Sequence, residues 1–296
     1  MNLNNKNLLI SSGLFILMIF LLWFGSYFQG LSIVIAGLIF SFLMLTNYAM
    51  MHEAMHYGLH SNNSKNYYVG VVLSWLFPVS FTFMATSHQV HHKFNRTDHE
   101  MFDYYYETDN KVVKYLQWYS ILIGIYPPII PLGSVLMAIV PAMFMSGPWQ
   151  KAKSSSIVFN PNLYNKNVIA KIRFEVFFGI LFWLLLFKLL NLNIVVVLIF
   201  YALGWVNWST RQYVTHAFTE RHVIDGALNL RVSRLMSCIL LNSQWDQVHH
   251  KYPYVPWVEL PNYADKTMKP KCYWQQYFRL WKGPQPNEYL APEPMK

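Results

Sequence analysis

Gln244-Trp245-Asp246-Gln247-Val248-His249-His250-Lys251-Tyr252-Pro253 places an acid three residues before a pair of adjacent histidines, beyond the last long apolar stretch of the chain. Alone the doublet is weak. It gains weight from two earlier clusters, His52-Glu53-Ala54-Met55-His56 and His88-Gln89-Val90-His91-His92. On a helix, His52 and His56 sit one turn apart on one face, so both rings reach one metal ion. His88, His91 and His92 share a face, but the adjacent pair diverges by about 100° and can point at two metals. Asp246, His249 and His250 repeat that geometry, with an acid where a third histidine is expected. His216 follows the last apolar run, with Gln212 one turn earlier as a hydrogen-bond or water-mediated partner. His60 continues the face of His52 and His56 and reads as a supporting or surface group. Eight histidines and one carboxylate suit two metal ions, each with four or five protein ligands and an open position. Imidazole binds Fe, Zn and Cu. A histidine-rich, thiolate-free site beside apolar helices favours non-haem iron that activates oxygen.

The rest of the chain says where such a site stands. Its 296 residues are 54% hydrophobic and 12% charged, about half the roughly 25% charged share of a soluble domain. Long apolar runs make it an all-α integral membrane protein, and residues 1–296 read as a single domain. The net charge of 23 − 14 = +9 points to sorting of Lys and Arg to the cytoplasmic side rather than to nucleic acid. Cys238 and Cys272 are the only cysteines, too few for a disulfide framework or a thiolate iron site.

Spans are expected at 8–28, 31–51, 174–190 and 192–213. They form two hairpins, and so a helical transmembrane stem of four spans, or six if residues 116–145 cross twice. Those residues carry Pro127, Pro128, Pro131 and Pro141 and read as a re-entrant hairpin or two short spans. The run 67–85, interrupted by Pro78, reads as a helix lying in or dipping into the interface. Residues 214–296 hold no span and form a cap. Lys6, Lys151, Lys153, Lys166, Lys171, Arg173 and Arg211 mark one side as cytoplasmic, and both tight turns opposite lack Lys and Arg. All eleven histidines then fall on the cytoplasmic side. The N-terminus and the metal site share that side.

His52-Glu53-x-x-His56 also matches the helix motif of zinc hydrolases, with Glu53 as base. The other two clusters weigh against that alternative, a membrane zinc hydrolase.

Together these stretches resemble the membrane fatty-acid desaturase and hydroxylase superfamily, which includes carotene ketolases. The resemblance rests on His52-x-x-x-His56-x-Gly58; on His88-x-x-His91-His92 followed by Asn95-Arg96-Thr97-Asp98 and Asp103; and on Asp246-x-x-His249-His250-Lys251-Tyr252-Pro253 with Val255-Pro256-Trp257. It covers residues 8 to 265. It implies a mushroom-like helical fold whose cytosolic cap holds two irons, and an enzyme that uses O2 to desaturate or oxygenate an unactivated C–H of a lipid. Desaturation of a fatty-acyl chain is the first expectation, and hydroxylation or ketolation of an alkane, carotenoid or other lipid the alternative. Carried over by position, the metal ligands are His52, His56, His88, His91, His92, His216, His249 and His250. Asp246 departs from the pattern. It is a direct ligand, binds through water, or leaves the second iron one ligand short, and a ligand or near-ligand is favoured. Asn95, Asp98 and Asp103 either support histidine rings or fix local turns.

Trp75, Phe77, Phe81, Phe83, Trp205, Trp208 and Trp245 are candidate walls of a lipid tunnel, although aromatic belts account for them equally. The chain shows no haem, rubredoxin or nucleotide motif. A separate electron donor of ferredoxin, rubredoxin or cytochrome b5 type is therefore implied. Lys93, Arg96, Lys111, Lys114 and Arg221 are candidates to steer it, or simply reflect positive-inside sorting.

Overall fold

The computed structural model describes residues 2–145 and 163–295 and is mostly helical. Lys151 and Lys153 lie outside the described residues. Helices α1 (Leu3–Tyr27) and α2 (Leu31–Met55) have 25 residues each, about 37 Å at 1.5 Å per residue, against an apolar core of about 30 Å. The surplus length carries α2 past the core, with His52 on its last turn and His56 as its C-terminal cap. Asn2 caps α1 by accepting from the Asn5 amide. Between the two helices Gly30 adopts φ 76°, a left-handed conformation that suits glycine.

Helices α3 (Asn63–Leu76) and α4 (Phe81–Phe94) meet at 97°. The single interfacial helix expected over 67–85 is thus two, because Pro78 lacks the N–H that would continue α3. Ser80 caps α4 through the Phe83 amide. The knee is fixed from outside by Glu175, which is fully buried and accepts four hydrogen bonds. They come from Tyr67 Oη (2.7 Å), Ser80 Oγ (2.5 Å), the Thr82 amide (2.8 Å) and Thr82 Oγ1 (2.5 Å).

After a two-residue strand β1 (Tyr104–Tyr105) come α5 (Lys111–Leu122), α6 (Ile129–Ile139) and α7 (Ala142–Met145). With 12 and 11 residues, α5 and α6 are about 18 Å long or less, so neither crosses the apolar core alone. Helices α8 (Lys166–Leu190) and α9 (Ile194–Gln212) form the second hairpin. Asn191 turns it in a left-handed conformation, and Asn193 caps α9. Among the described residues α1, α2 and α9 are long and apolar enough to span by themselves. The span expected at 174–190 falls inside α8. That helix has sufficient length, and Phe177, Ile180, Leu184 and Leu189 give it an exposed apolar face, but Glu175 and Lys188 interrupt its apolar run. Helix α9 packs closely on α2, where Gly204 leaves room for the Met44 thioether.

Beyond α9 the described helices have at most eight residues. They are α10 (Arg234–Ile239), α11 (Asp246–Lys251) and α12 (Tyr273–Leu280). Strand β2 (Leu230–Arg231) pairs in parallel with β3 (Lys271–Cys272), and β4 (Gln285–Pro286) with β1. A large apolar core joins α1–α4 to α9. A second one, around Trp118, Tyr213, Phe218 and Tyr273, joins α5 to the C-terminal region.

Candidate metal centre

Four elements deliver the histidines. The end of α2 supplies His52 and His56, and α4 supplies His88, His91 and His92. The turn after α9 supplies His216, and α11 supplies His249 and His250. Helix α11 starts with Asp246 in its first turn, where a carboxylate complements the exposed amides. Asn229 accepts from the Val248 amide (3.3 Å) and steadies that short helix.

The rings gather in two groups. In the first, one nitrogen from each of His52, His56, His88, His92 and His249 lies within 4.8 Å of all the others, and in the second the same holds for His91, His216 and His250. Each adjacent pair is divided between the groups: His92 and His249 in the first, His91 and His250 in the second. In the first group the Nε2 atoms stand close, with His56–His88 at 2.8 Å, His88–His92 at 3.0 Å and His92–His249 at 3.1 Å. Two imidazole nitrogens at right angles on a metal, each about 2.1 Å from it, lie about 3.0 Å apart.

Partners behind the rings set the second group. His91 Nδ1 is 2.9 Å from Glu100 Oε2, and His216 Nδ1 is 3.3 Å from the Gly226 carbonyl. Facing acceptors, both Nδ1 atoms hold a proton. Burial disfavours the His91 charge, but Glu100, with Asp246, raises its pKa above the ordinary imidazole value. A ring that yields its other proton to a metal ion presents its Nε2 lone pair forward. His216 Nε2 lies 3.0 Å from Asp246 Oδ2. A proton on Nε2 satisfies so short a contact, and a metal ion in its place would do the same. The donor set therefore fits metal ions at both groups.

Burial alone would raise the Asp246 pKa. The charge of His216 and its hydrogen bond, helped by His249 and Thr215, hold it well below the usual carboxylate range instead. Burial, reinforced by the other rings, pushes His249 and His250 well below the ordinary imidazole value and keeps them neutral, as ligation requires.

A cavity of about 320 Å³ adjoins the rings. His52, Ala49, Tyr48 and Leu45 line it along two turns of α2, so it runs about 10 Å down that helix from the histidines toward the membrane centre. Of the seven aromatic residues expected as walls, Phe83 and Trp208 line it. Gln212 lines it as well.

The other residues singled out in the sequence hold the scaffold. Asn95 Nδ2 donates to the Val223 carbonyl, and His60 Nδ1 accepts from the Asn62 amide. Asp98 accepts from Arg221 and Tyr106. Asp103 pairs with Arg96. Three of the five basic residues considered for donor steering are buried and engaged: Arg96 with Asp103, Arg221 with Asp98, and Lys114 with the Met101 carbonyl. A buried cation needs its partners inside, so it projects little charge outward. Glu100, in contrast, escaped the sequence reading. It lies in a three-residue 3-10 turn with no periodicity to betray it, and only its position nine residues after His91 was a signal.

Apolar membrane-length helices that converge eight histidines beside one cavity define an integral membrane protein with a centre able to bind metal. The chain belongs to the fatty acid desaturase family, whose model matches residues 28–283, and is thereby an oxidoreductase. No curated protein and no solved structure matches it.

Proposed function

We propose that the protein is a di-iron, O2-dependent oxidoreductase that acts as a fatty-acyl desaturase. The observation that carries this reading is the junction of the two histidine groups with a cavity that descends α2 into the apolar layer. His52, His56, His88, His92 and His249 would hold one iron, and His91, His216, His250 and Asp246 the other. Two irons at those positions would supply the activation of O2 needed to take hydrogen from an unactivated carbon. The chain's own contribution is positioning. Glu100 and the Gly226 carbonyl hold the His91 and His216 rings with Nε2 forward. The apolar walls contributed by Leu45, Ala49, Phe83 and Trp208 suit a hydrocarbon chain and exclude water around it.

The N-terminus and the metal end face the cytoplasm in this reading, as the Lys and Arg distribution favours. A separate donor of ferredoxin, rubredoxin or cytochrome b5 type delivers electrons there. A zinc hydrolase built on His52, Glu53 and His56 is less consistent with the geometry. The Glu53 carboxylate accepts from the Trp257 amide at 3.3 Å, and Gly58 packs directly against it.

The test is expression in a lipid-producing host, with metal analysis of the purified protein and mass spectrometry of the host lipids. About two irons per chain and a new double bond support the proposal. Inserted oxygen on an alkane, carotenoid or other lipid identifies a hydroxylase or ketolase instead. One zinc with no iron and unaltered lipids would overturn both.

A further inference from the structure

We propose that α12 lies in the membrane–water interface, with Trp274, Phe278 and Trp281 set among the lipid headgroups and the upper acyl chains. Its sequence, Tyr273-Trp274-Gln275-Gln276-Tyr277-Phe278-Arg279-Leu280, followed by Trp281 and Lys282, divides the helix surface into three strips. Tyr273, Gln276 and Leu280 are buried against the protein. At about 100° per residue, Trp274, Phe278 and Trp281 fall within one arc of about 60°, and Gln275, Arg279 and Lys282 within the next. The aromatic arc is bare: Trp274 is 55%, Phe278 64% and Trp281 41% exposed. An aromatic strip between a buried face and a polar face is the pattern of a helix lying flat at a bilayer surface, where Trp in particular concentrates.

The contacts of α12 fix its height. Tyr277 Oη is 3.0 Å from Thr210 Oγ1, and Arg211 donates to Tyr273 Oη at 2.9 Å while its guanidinium stands 5.9 Å from the Trp274 ring. Thr210 and Arg211 belong to the last turn of α9, where that span leaves the apolar core. The far end of α12 rests on α5: Trp118 Nε1 donates to the Leu280 carbonyl (2.8 Å) and Tyr119 Oη to the Trp281 carbonyl (3.0 Å). Helix α5 in turn exposes Val112 and Leu116, and Ile123 is exposed at its C-terminal cap. Helix α12 is thus hydrogen-bonded at one end to the last turn of a membrane span and at the other to a helix with exposed apolar residues, and the occupant that matches its aromatic arc at that level is the lipid surface. Tyr273, beside Trp274, lines the cavity, so the same helix seats the cavity wall at headgroup depth.

The experiment uses the full chain with Cys238→Ser and Cys272→Ser, reconstituted in vesicles of phosphatidylcholine and phosphatidylglycerol. A nitroxide at Phe278→Cys is compared by power saturation with labels at Gln275→Cys, on the polar strip, and Asp225→Cys, on an exposed ion pair. The Phe278 label is expected to favour collision with O2 over a water-soluble nickel chelate severalfold more than the Asp225 label, with Gln275 between them. A Phe278 label as open to nickel as Asp225 would overturn the proposal. So would one shielded from both reagents, the mark of a protein partner on this face. If Phe278→Cys does not fold, Trp281→Cys serves the same comparison. The result does not depend on what the metal centre catalyses.

Discussion

Replacing Arg96 with Met should destabilise the protein by about 3–5 kcal/mol, the cost of leaving one charge of a buried pair uncompensated. Arg96 and Asp103 both have side chains 0% exposed. They form a two-pronged pair at 2.7 and 3.0 Å. Arg96 also donates to Tyr213 Oη and the Thr219 carbonyl, each at 3.1 Å, and Asp103 accepts from the Phe218 amide. Burial disfavours the Arg96 charge, but Asp103, with Tyr213, holds its pKa above the ordinary arginine value. Asp103→Asn should cost a similar amount by stranding the cation. Removing both charges, in Arg96→Met with Asp103→Leu, should recover most of the loss. A buried ion pair contributes little net stability, and the single-variant penalty is the orphaned partner. Unfolding of detergent-solubilised protein by SDS titration measures all four forms. The pair ties the end of α4 to the turn that carries His216. Arg96→Met should therefore also lower metal retained at His91, His216 and His250 before it affects the five-histidine group, as metal counts per chain would register. A single variant as stable as the parent, or a double variant no better than either single, would refute the reasoning.

Glu175→Ala should orphan four donors at the knee between α3 and α4, at about 1–3 kcal/mol for the buried Ser80 hydroxyl and less for each donor of the half-buried Tyr67 and Thr82. SDS unfolding checks the loss, which Glu175→Gln should only partly share because its amide keeps one acceptor oxygen. Asp246→Ala should weaken metal retention at the three-histidine group by about 10–100-fold, as loss of a group bracing a metal site does. Dialysis against a chelator measures it, and full retention with full turnover would remove Asp246 from the centre. Chelator-stripped protein should lose stability as pH falls below about 6.5, because the unfolded chain takes up protons there while burial keeps His249 and His250 neutral in the fold. The slope is about 1.4 kcal/mol per pH unit for each ring, and unfolding titrations at pH 5.5 and 7.5 test its sign.

Much of this protein is written locally. Apolar runs from Leu8 and Leu31 have to be helices in a bilayer, since no water is there to satisfy the backbone. The spacing of His88, His91 and His92, and of Asp246, His249 and His250, determines that adjacent rings diverge, because helical rotation is a property of the chain itself. The division of eight rings into five and three depends instead on the 97° knee that aims α4, on the extension of α2 past the core, and on the turn that brings His216 to Asp246. Arg96 and Arg221 look like surface cations in the sequence, and burial shows them to be structural partners of Asp103 and Asp98. Glu100 looks like an ordinary loop acid and stands behind His91. Such roles follow from which distant residues are packed together in water's absence, and spacing along one helix carries no record of that.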